Sequence, residues 1–268
     1  MPAQPRNGFA MRFIALIVCL ALAAPVTRLQ AVAQERTDVE LVFLADASGS
    51  IDDAEILFQR QGYAAAITDP QILSVIRSGA YGKIALTYVE WGSTESQEVV
   101  VPWTVIGDEA SAEAFAKRLM AEPRRAFGRN AIGNAIAFAQ ALIETNDVEG
   151  FRKVIDLSAD SVSSWGGVLG GIPIEIARQN AIDAGIIING LAVLYRACSG
   201  RPVSYDLEQA FAETIIGGPG SFVITADGRD QFAAAVRRKL ILELAEHDAG
   251  EPNRENARNG KVLVAVED

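Results

Sequence analysis

A short polar loop that directly follows an apolar strand constrains this sequence more than any other feature. The predicted strand covers residues 39–45. The loop after it carries polar side chains at every second position, namely Asp46, Ser48 and Ser50. Long apolar strands are typical of parallel sheets that are buried on both faces. When the loop after such a strand curls, one carboxylate and two hydroxyl oxygens converge, and hard divalent cations bind such oxygens. The pattern therefore predicts a cation site at the carboxyl end of this strand.

The rest of the chain alternates between predicted strands and helices. With 268 residues, half of them hydrophobic, it is long enough to bury a sizeable core. Strands are predicted at residues 39–45, 83–89, 97–105, 151–157, 186–194 and 221–225. Helices are predicted at residues 53–67, 111–120, 131–143, 174–184, 207–215 and 229–245. This alternation predicts an α/β fold with a doubly wound, mostly parallel six-stranded sheet and helices on both faces. Pro102 places the strand at residues 97–105 at a sheet edge.

The first 33 residues have the order of an export signal. Arg6 and Arg12 precede an apolar stretch at residues 13–24, which is shorter than the roughly 20 residues that a membrane span needs. Small residues before position 34 then offer a cleavage site after Ala33. We therefore expect a signal peptide at 1–33, a folded domain at 34–246 and a flexible tail at 247–268. A retained membrane anchor is the competing interpretation of residues 1–33.

The net charge, the cysteines and the single histidine limit the classes of function that this chain can have. Cleavage after Ala33 would remove three arginines and no acid, which moves the formal charge from −10 to −13. Such an acidic protein is a poor partner for nucleic acid or anionic lipid but is compatible with cations. We expect a periplasmic or secreted protein without an intrachain disulfide, because Cys198 would be the one remaining cysteine. His247, the single histidine, lies in the predicted tail, so we expect a protein that is not an enzyme.

A second strand also ends in a carboxylate. The strand at 151–157 leads to Asp160, and Asn130 stands before the helix at 131–143, at its expected N-cap. In open α/β sheets, ligands bind beyond the carboxyl ends of the strands. Three loops, two of them carrying a carboxylate, are therefore expected to meet at one edge. The alternative is that these side chains only cap the strand ends and turns.

The spacing Asp46-x-Ser48-x-Ser50, followed later by Asp160, resembles the metal-ion-dependent adhesion site of von Willebrand factor type A domains. The resemblance implies a Rossmann-like fold with one antiparallel edge strand. It also implies a metal site made of Asp46, Ser48, Ser50, Asn130 and Asp160. Three positions depart from the family pattern. Asn130 stands where type A domains have a threonine, and Ala159 and Ser161 stand where relatives have the glycines of a loop that resembles S-G-D-G.

Other segments look like a bacterial branch of exported type A domains that is catalogued only as a domain of unknown function. These segments are residues 59–66, 88–92, 216–223 and 237–240. The resemblance implies an exported, cation-dependent protein-binding module of the adhesion type. The cation would be Mg²⁺, or Mn²⁺ or Ca²⁺, and an Asp or Glu of a protein partner would complete its coordination. A metal-free structural or solute-binding periplasmic protein is the alternative, and a Mg²⁺-assisted hydrolase that uses carboxylates is a further one.

We predict that the native host exports the chain and cleaves it after Ala33, because charge, apolar stretch and small residues follow in the order that signal peptidase requires. N-terminal sequencing of the mature protein checks this, and Gln34 is the expected first residue. A mature protein that still begins at Met1 would contradict the prediction.

Overall fold

The computed structural model describes residues 34–163, 170–194 and 205–245. The predicted signal peptide, the tail at 247–268, Cys198 and His247 lie outside these ranges. Among the described residues, no helix combines the length and the apolar character that a membrane crossing requires.

Within the described residues, six strands form one sheet, which confirms the predicted fold class. The strands are β1 (Glu35–Asp46), β2 (Ile84–Trp91), β3 (Gln97–Ile106), β4 (Val148–Ala159), β5 (Ile186–Val193) and β6 (Val223–Ala226). Their order is β3-β2-β1-β4-β5-β6, and of these six strands β3 is antiparallel to its neighbour whereas the others pair in parallel. The predicted edge position of the strand that contains Pro102 is therefore correct. Strands β1 and β4 occupy the centre of the sheet.

The two central strands begin earlier than their apolar pattern predicts. Glu35 of β1 pairs with Val148 of β4, and the parallel ladder continues to Ala45 and Ser158. The polar residues at the start of each strand belong to the sheet because they pair with the partner strand, not because their side chains are apolar and buried. Hydrophobic periodicity does not detect such an extension, because the pairing joins positions more than 100 residues apart.

In the part of the chain that the structure describes, seven helices cover the two faces of the sheet. They are α1 (Asp53–Ile67), α2 (Pro70–Ser78), α3 (Glu109–Ala121), α4 (Ile132–Glu144), α5 (Ile174–Asp183), α6 (Leu207–Thr214) and α7 (Arg229–Ala245). Residues of α1, α2, α3 and α7 build the apolar core on one face, and residues of α4, α5 and α6 build the core on the other. This two-layer cover leaves the carboxyl edge of the sheet to loops.

Helix α2 was not among the predicted elements. Asp69 caps it by accepting a hydrogen bond from Gln71 N at 2.7 Å, and Pro70 occupies its first turn. Proline is favoured there because the first N–H groups of a helix have no intrahelical partner. Ile72 and Ile76 are buried against the first core. The Asp-Pro pair was therefore a usable start signal for this short helix.

A fully buried group of charges ties α7 to the sheet. Lys239 Nζ lies 2.9 Å from Asp156 Oδ1 on β4 and also contacts Glu243. Asn189 of β5 donates to Glu243 Oε1 at 3.0 Å. Burial raises the pKa of Asp156 to about 7, although the charge of Lys239 lowers it. One ammonium thus pairs with two buried carboxylates, and its removal would leave neither with a cation in the described ion pairs.

We predict that Lys239→Met lowers the free energy of unfolding by about 3–5 kcal/mol, the usual penalty for breaking a buried ion pair by removing one partner. Chemical denaturation at pH 7.5 measures the change. Lys117→Met is the matched control, because Lys117 is exposed on α3. Equal stability of the two variants would show that the ammonium of Lys239 does not balance the buried acids.

Candidate metal centre

The two carboxylates predicted from strand ends lie at the same edge of the sheet. Asp46 is the last residue of β1, and Asp160 directly follows the end of the adjacent parallel strand β4. Both side chains are buried, with 1% of their surface exposed. Asp46 Oδ1 accepts a hydrogen bond from the backbone N–H of Ser48 at 2.7 Å, which fixes the start of the loop.

The two hydroxyls of this loop connect the carboxylates. Ser48 Oγ and Ser50 Oγ lie 3.2 Å apart, and Ser50 Oγ donates to Asp160 Oδ1 at 3.3 Å. Four of the five predicted ligands are therefore joined by direct contacts or through one intervening hydroxyl. The loop curls so that carboxylate and hydroxyl oxygens converge, as its spacing predicts.

The charge of Asp46 is poorly compensated. Burial and the nearby charge of Asp160 raise the pKa of Asp46 to about 7, and the hydrogen bonds from Ser48 and from the backbone of Asp160 offset only part of this rise. Its Oδ2 atom is buried and has no hydrogen-bond partner among the described residues. Buried polar atoms are usually paired in folded proteins, so each exception needs an explanation. A bound cation would neutralise this carboxylate and occupy its open oxygen.

Asn130 has a different role from the one that its sequence position predicts. The predicted N-cap role is wrong. Helix α4 begins at Ile132, its N-cap is Ala131, and no side chain caps it. Instead, Asn130 Nδ2 donates to Ser161 Oγ at 2.7 Å. The amide thus reaches across to the residue next to Asp160, because the loop between α3 and α4 lies against the loop after β4.

These loops surround a cavity of about 340 Å³. Its lining residues are Gly49, Ser50, Gly128, Arg129, Asn130, Asp160, Ser161 and Ser163. Three of the five predicted ligands line the cavity, whereas Asp46 and Ser48 are fully buried and do not line it. No three His, Cys, Asp or Glu side chains of the described residues cluster as metal ligands. A cation here would therefore use two carboxylates together with hydroxyl, amide and water oxygens, a set that suits hard ions.

Arg124 holds the loop after β1 through hydrogen bonds to its backbone, and it was not among the predicted site residues. Its Nη2 donates to Ala47 O at 2.6 Å and to Ser48 O at 3.3 Å, and its Nη1 lies 3.0 Å from Asp53 Oδ1. The guanidinium also lies 4.7 Å from the ring centre of Phe127. The available signal was the density of arginine at residues 124–129 in an otherwise acidic chain.

A buried ion pair anchors the segment that carries Asn130. Arg60 of α1 lies 2.6 Å from Glu90 Oε1 on β2 and also donates to Pro123 O at 3.0 Å. Glu90 Oε2 accepts from the backbone N–H of Arg125 at 3.1 Å. Both partners of this pair are thus satisfied by several contacts, as a buried charge requires.

A backbone contact then joins the loop after β1, here called the first loop, to the loop between α3 and α4, here called the second loop. Gly49 N donates to Gly128 O at 2.7 Å, and Gly128 has a positive φ of 103°. A Cβ at Gly128 would lie 2.8 Å from Ser93 Cβ, so glycine is required on both conformational and steric grounds. The cavity is therefore bounded by loops whose backbones are held by the protein itself.

A doubly wound sheet with an antiparallel edge strand and this oxygen site at its carboxyl edge defines a von Willebrand factor type A fold. The family model described as "Protein of unknown function (DUF1194)" matches residues 36–248, and the chain belongs to that family. No curated protein matches the sequence.

Solved structures with this fold include two bacterial pilus proteins. The pilus adhesin SpaC from Lactobacillus rhamnosus GG aligns with a TM-score of 0.54 at 13% identity, over 79% of this chain and 31% of that one. The von Willebrand factor domain of the pilus tip protein Mfa5 from Porphyromonas gingivalis has a TM-score of 0.50 at 12% identity, over 83% and 99%. A von Willebrand factor type A protein from Catenulispora acidiphila has a TM-score of 0.50 at 17% identity, over 76% and 42%. At these identities the likeness establishes the fold.

We predict that Asp46→Asn stabilises the protein at pH 8 in the presence of a chelator. In the folded state the pKa of Asp46 is about 7, against 3.8 in the unfolded chain. Between these values the folded state keeps a proton that the unfolded state loses, so stability falls as pH rises from about 4 to 7 and then levels off. The neutral amide removes this loss, which amounts to at most about 4 kcal/mol.

Melting curves at pH 5 and pH 8 measure the effect. The advantage of the Asp46→Asn variant should be larger at pH 8. A variant that is less stable than the wild type at both pH values would show that the carboxylate of Asp46 is structurally satisfied.

Proposed function

We propose that this chain is an exported protein-binding module whose binding depends on a divalent cation. The cation is held by Asp46, Ser48, Ser50, Asn130 and Asp160, and an Asp or Glu side chain of a protein partner completes its coordination. Mg²⁺ is the first candidate, and Mn²⁺ and Ca²⁺ are the others. The protein acts in the periplasm or outside the cell, and it acts by binding rather than by catalysis.

The Oδ2 atom of buried Asp46 carries the proposal, because no described residue forms a hydrogen bond with it. A carboxylate that only capped the end of β1 would use both oxygens in local hydrogen bonds or lie in water. Asp46 does neither, and its pKa is raised by burial beside Asp160. Negative charge concentrated without a cation is typical of sites that are adapted to a ligand rather than to stability.

The cavity supports a binding role for the cation. Its opening next to Ser50, Asn130 and Asp160 leaves room for water or for a ligand from another molecule. Mg²⁺ commonly keeps several waters and takes few protein carboxylates, so an outside carboxylate has a coordination position to fill. No nucleophile–base–acid arrangement was recognised in the sequence, which favours a binding module over a hydrolase.

The structural neighbours agree with a module that recognises proteins. SpaC is a pilus adhesin, and Mfa5 is a pilus tip protein. This chain spans about a third of SpaC, so the adhesin's whole activity does not transfer to it. The type A fold is the shared part, and recognition of an acidic side chain by a bound cation is the part that we propose here.

Titration calorimetry tests the cation. Wild type should bind Mg²⁺ or Mn²⁺, and Asp46→Ala should abolish the heat of binding. Asp183→Ala is the matched control, since Asp183 is an exposed aspartate at the end of α5, and this variant should bind as the wild type does. Equal heats for the wild type and Asp46→Ala would refute the assignment, and no heat for the wild type would favour a metal-free protein.

Partner binding is tested by affinity capture from a periplasmic extract of the native host. A partner should be retained with Mg²⁺, released by chelator and not retained by the Asp46→Ala variant. Retention that is insensitive to both changes would mean that recognition uses another surface.

A further inference from the structure

The hydrogen bond between Asn130 and Ser161 joins two residues on the wall of the cavity. Asn130 Nδ2 lies 2.7 Å from Ser161 Oγ, and both residues line the cavity beside Asp160. Ser161 is 5% exposed and Asn130 is half-buried, so the contact is partly shielded from water. A hydrogen bond in such surroundings has more influence on side-chain orientation than one in open solvent.

An asparagine amide has two ends with opposite chemistry. Its oxygen accepts hydrogen bonds and can coordinate a cation, whereas its NH₂ group only donates and repels a cation. The two ends have nearly the same shape, and a cation attracts only the oxygen, so an amide that turns its oxygen to a cation needs a neighbour that accepts from its NH₂ group. In this structure the NH₂ end donates to Ser161, and no hydrogen bond to the amide oxygen occurs among the described residues.

We propose that Ser161 is a positioning residue for the cation site. By accepting a hydrogen bond from Asn130 Nδ2, it keeps the amide oxygen available to the cation. This inference rests on the proposed cation-binding function and adds to it a residue that is not itself a predicted ligand. Asn130 and Ser161 then act as a unit, in which the serine is useful only while residue 130 is an amide.

The test is a double-mutant cycle with Mn²⁺ as the probe. Its variants are Ser161→Ala, Asn130→Thr and the combination of both. Ser161→Ala should weaken Mn²⁺ binding about 3- to 10-fold, the effect of losing one neutral hydrogen bond. In the Asn130→Thr background, the same change should alter affinity less than about twofold, because the hydrogen of a threonine hydroxyl rotates away from a cation without the help of a neighbour.

Ser74→Ala is the matched control, because Ser74 is an exposed serine on α2 and does not line the cavity. Its Mn²⁺ affinity should stay within about twofold of the wild-type value. Melting temperatures in chelator, measured for every variant, separate a change in cation affinity from a loss of folding. A role in stability alone would lower the melting temperature of Ser161→Ala without changing its Mn²⁺ affinity.

Two failures are distinguishable. If the wild type binds Mn²⁺ and Ser161→Ala binds it equally well, the positioning role is overturned and the proposed function stands. Equal weakening by Ser161→Ala in both backgrounds would also overturn the role, because the effect would not depend on the amide. If the wild type binds neither Mn²⁺ nor Mg²⁺, the proposed function and the inference fail together.

Discussion

The parallel pairing of β1 with β4 is the constraint on which the site depends. Ala45 lies opposite Ser158, so the two strands end at nearly the same level of the sheet. Asp46 and Asp160 therefore lie beside each other. A slip of one residue would turn the side chains of one strand to the other face of the sheet. The two apolar cores that cover the faces therefore hold the register of the site as well as the stability of the domain.

The buried carboxylates differ in whether a basic side chain lies beside them. Arg60 and Glu90 form a buried pair in which both partners make further hydrogen bonds, and Lys239 lies between two buried acids. Burial raises the pKa of both Asp156 and Asp46 to about 7, but of these two only Asp156 has an ammonium within ion-pair distance among the described residues. A cation bound at the carboxyl edge would supply the partner that Asp46 lacks there.

The loops around the cavity are held by the protein rather than by a ligand. Arg124 donates to the carbonyls of Ala47 and Ser48, and Gly49 donates to Gly128 across the gap between the first and second loops. Preformed loops reduce the ordering that a cation must impose when it binds. Under our proposal, loops held in this way let one hydrogen bond, that of Asn130 with Ser161, leave the amide oxygen to the cation.

In the described part of the chain, local pattern was enough to predict the six strands, all helices except α2, the edge position of β3 and the two carboxylates at strand ends. These features depend on neighbouring residues, because the hydrophobic period and the polar residues at strand ends can be read over a few positions. The starts of β1 and β4, the brace by Arg124 and the contact between Asn130 and Ser161 were decided by the tertiary structure. Each joins positions 31 or more residues apart. Asn130 shows the difference most clearly. Its place before α4 predicted a helix cap, but the loop after β4 supplied a partner that the order of residues does not reveal.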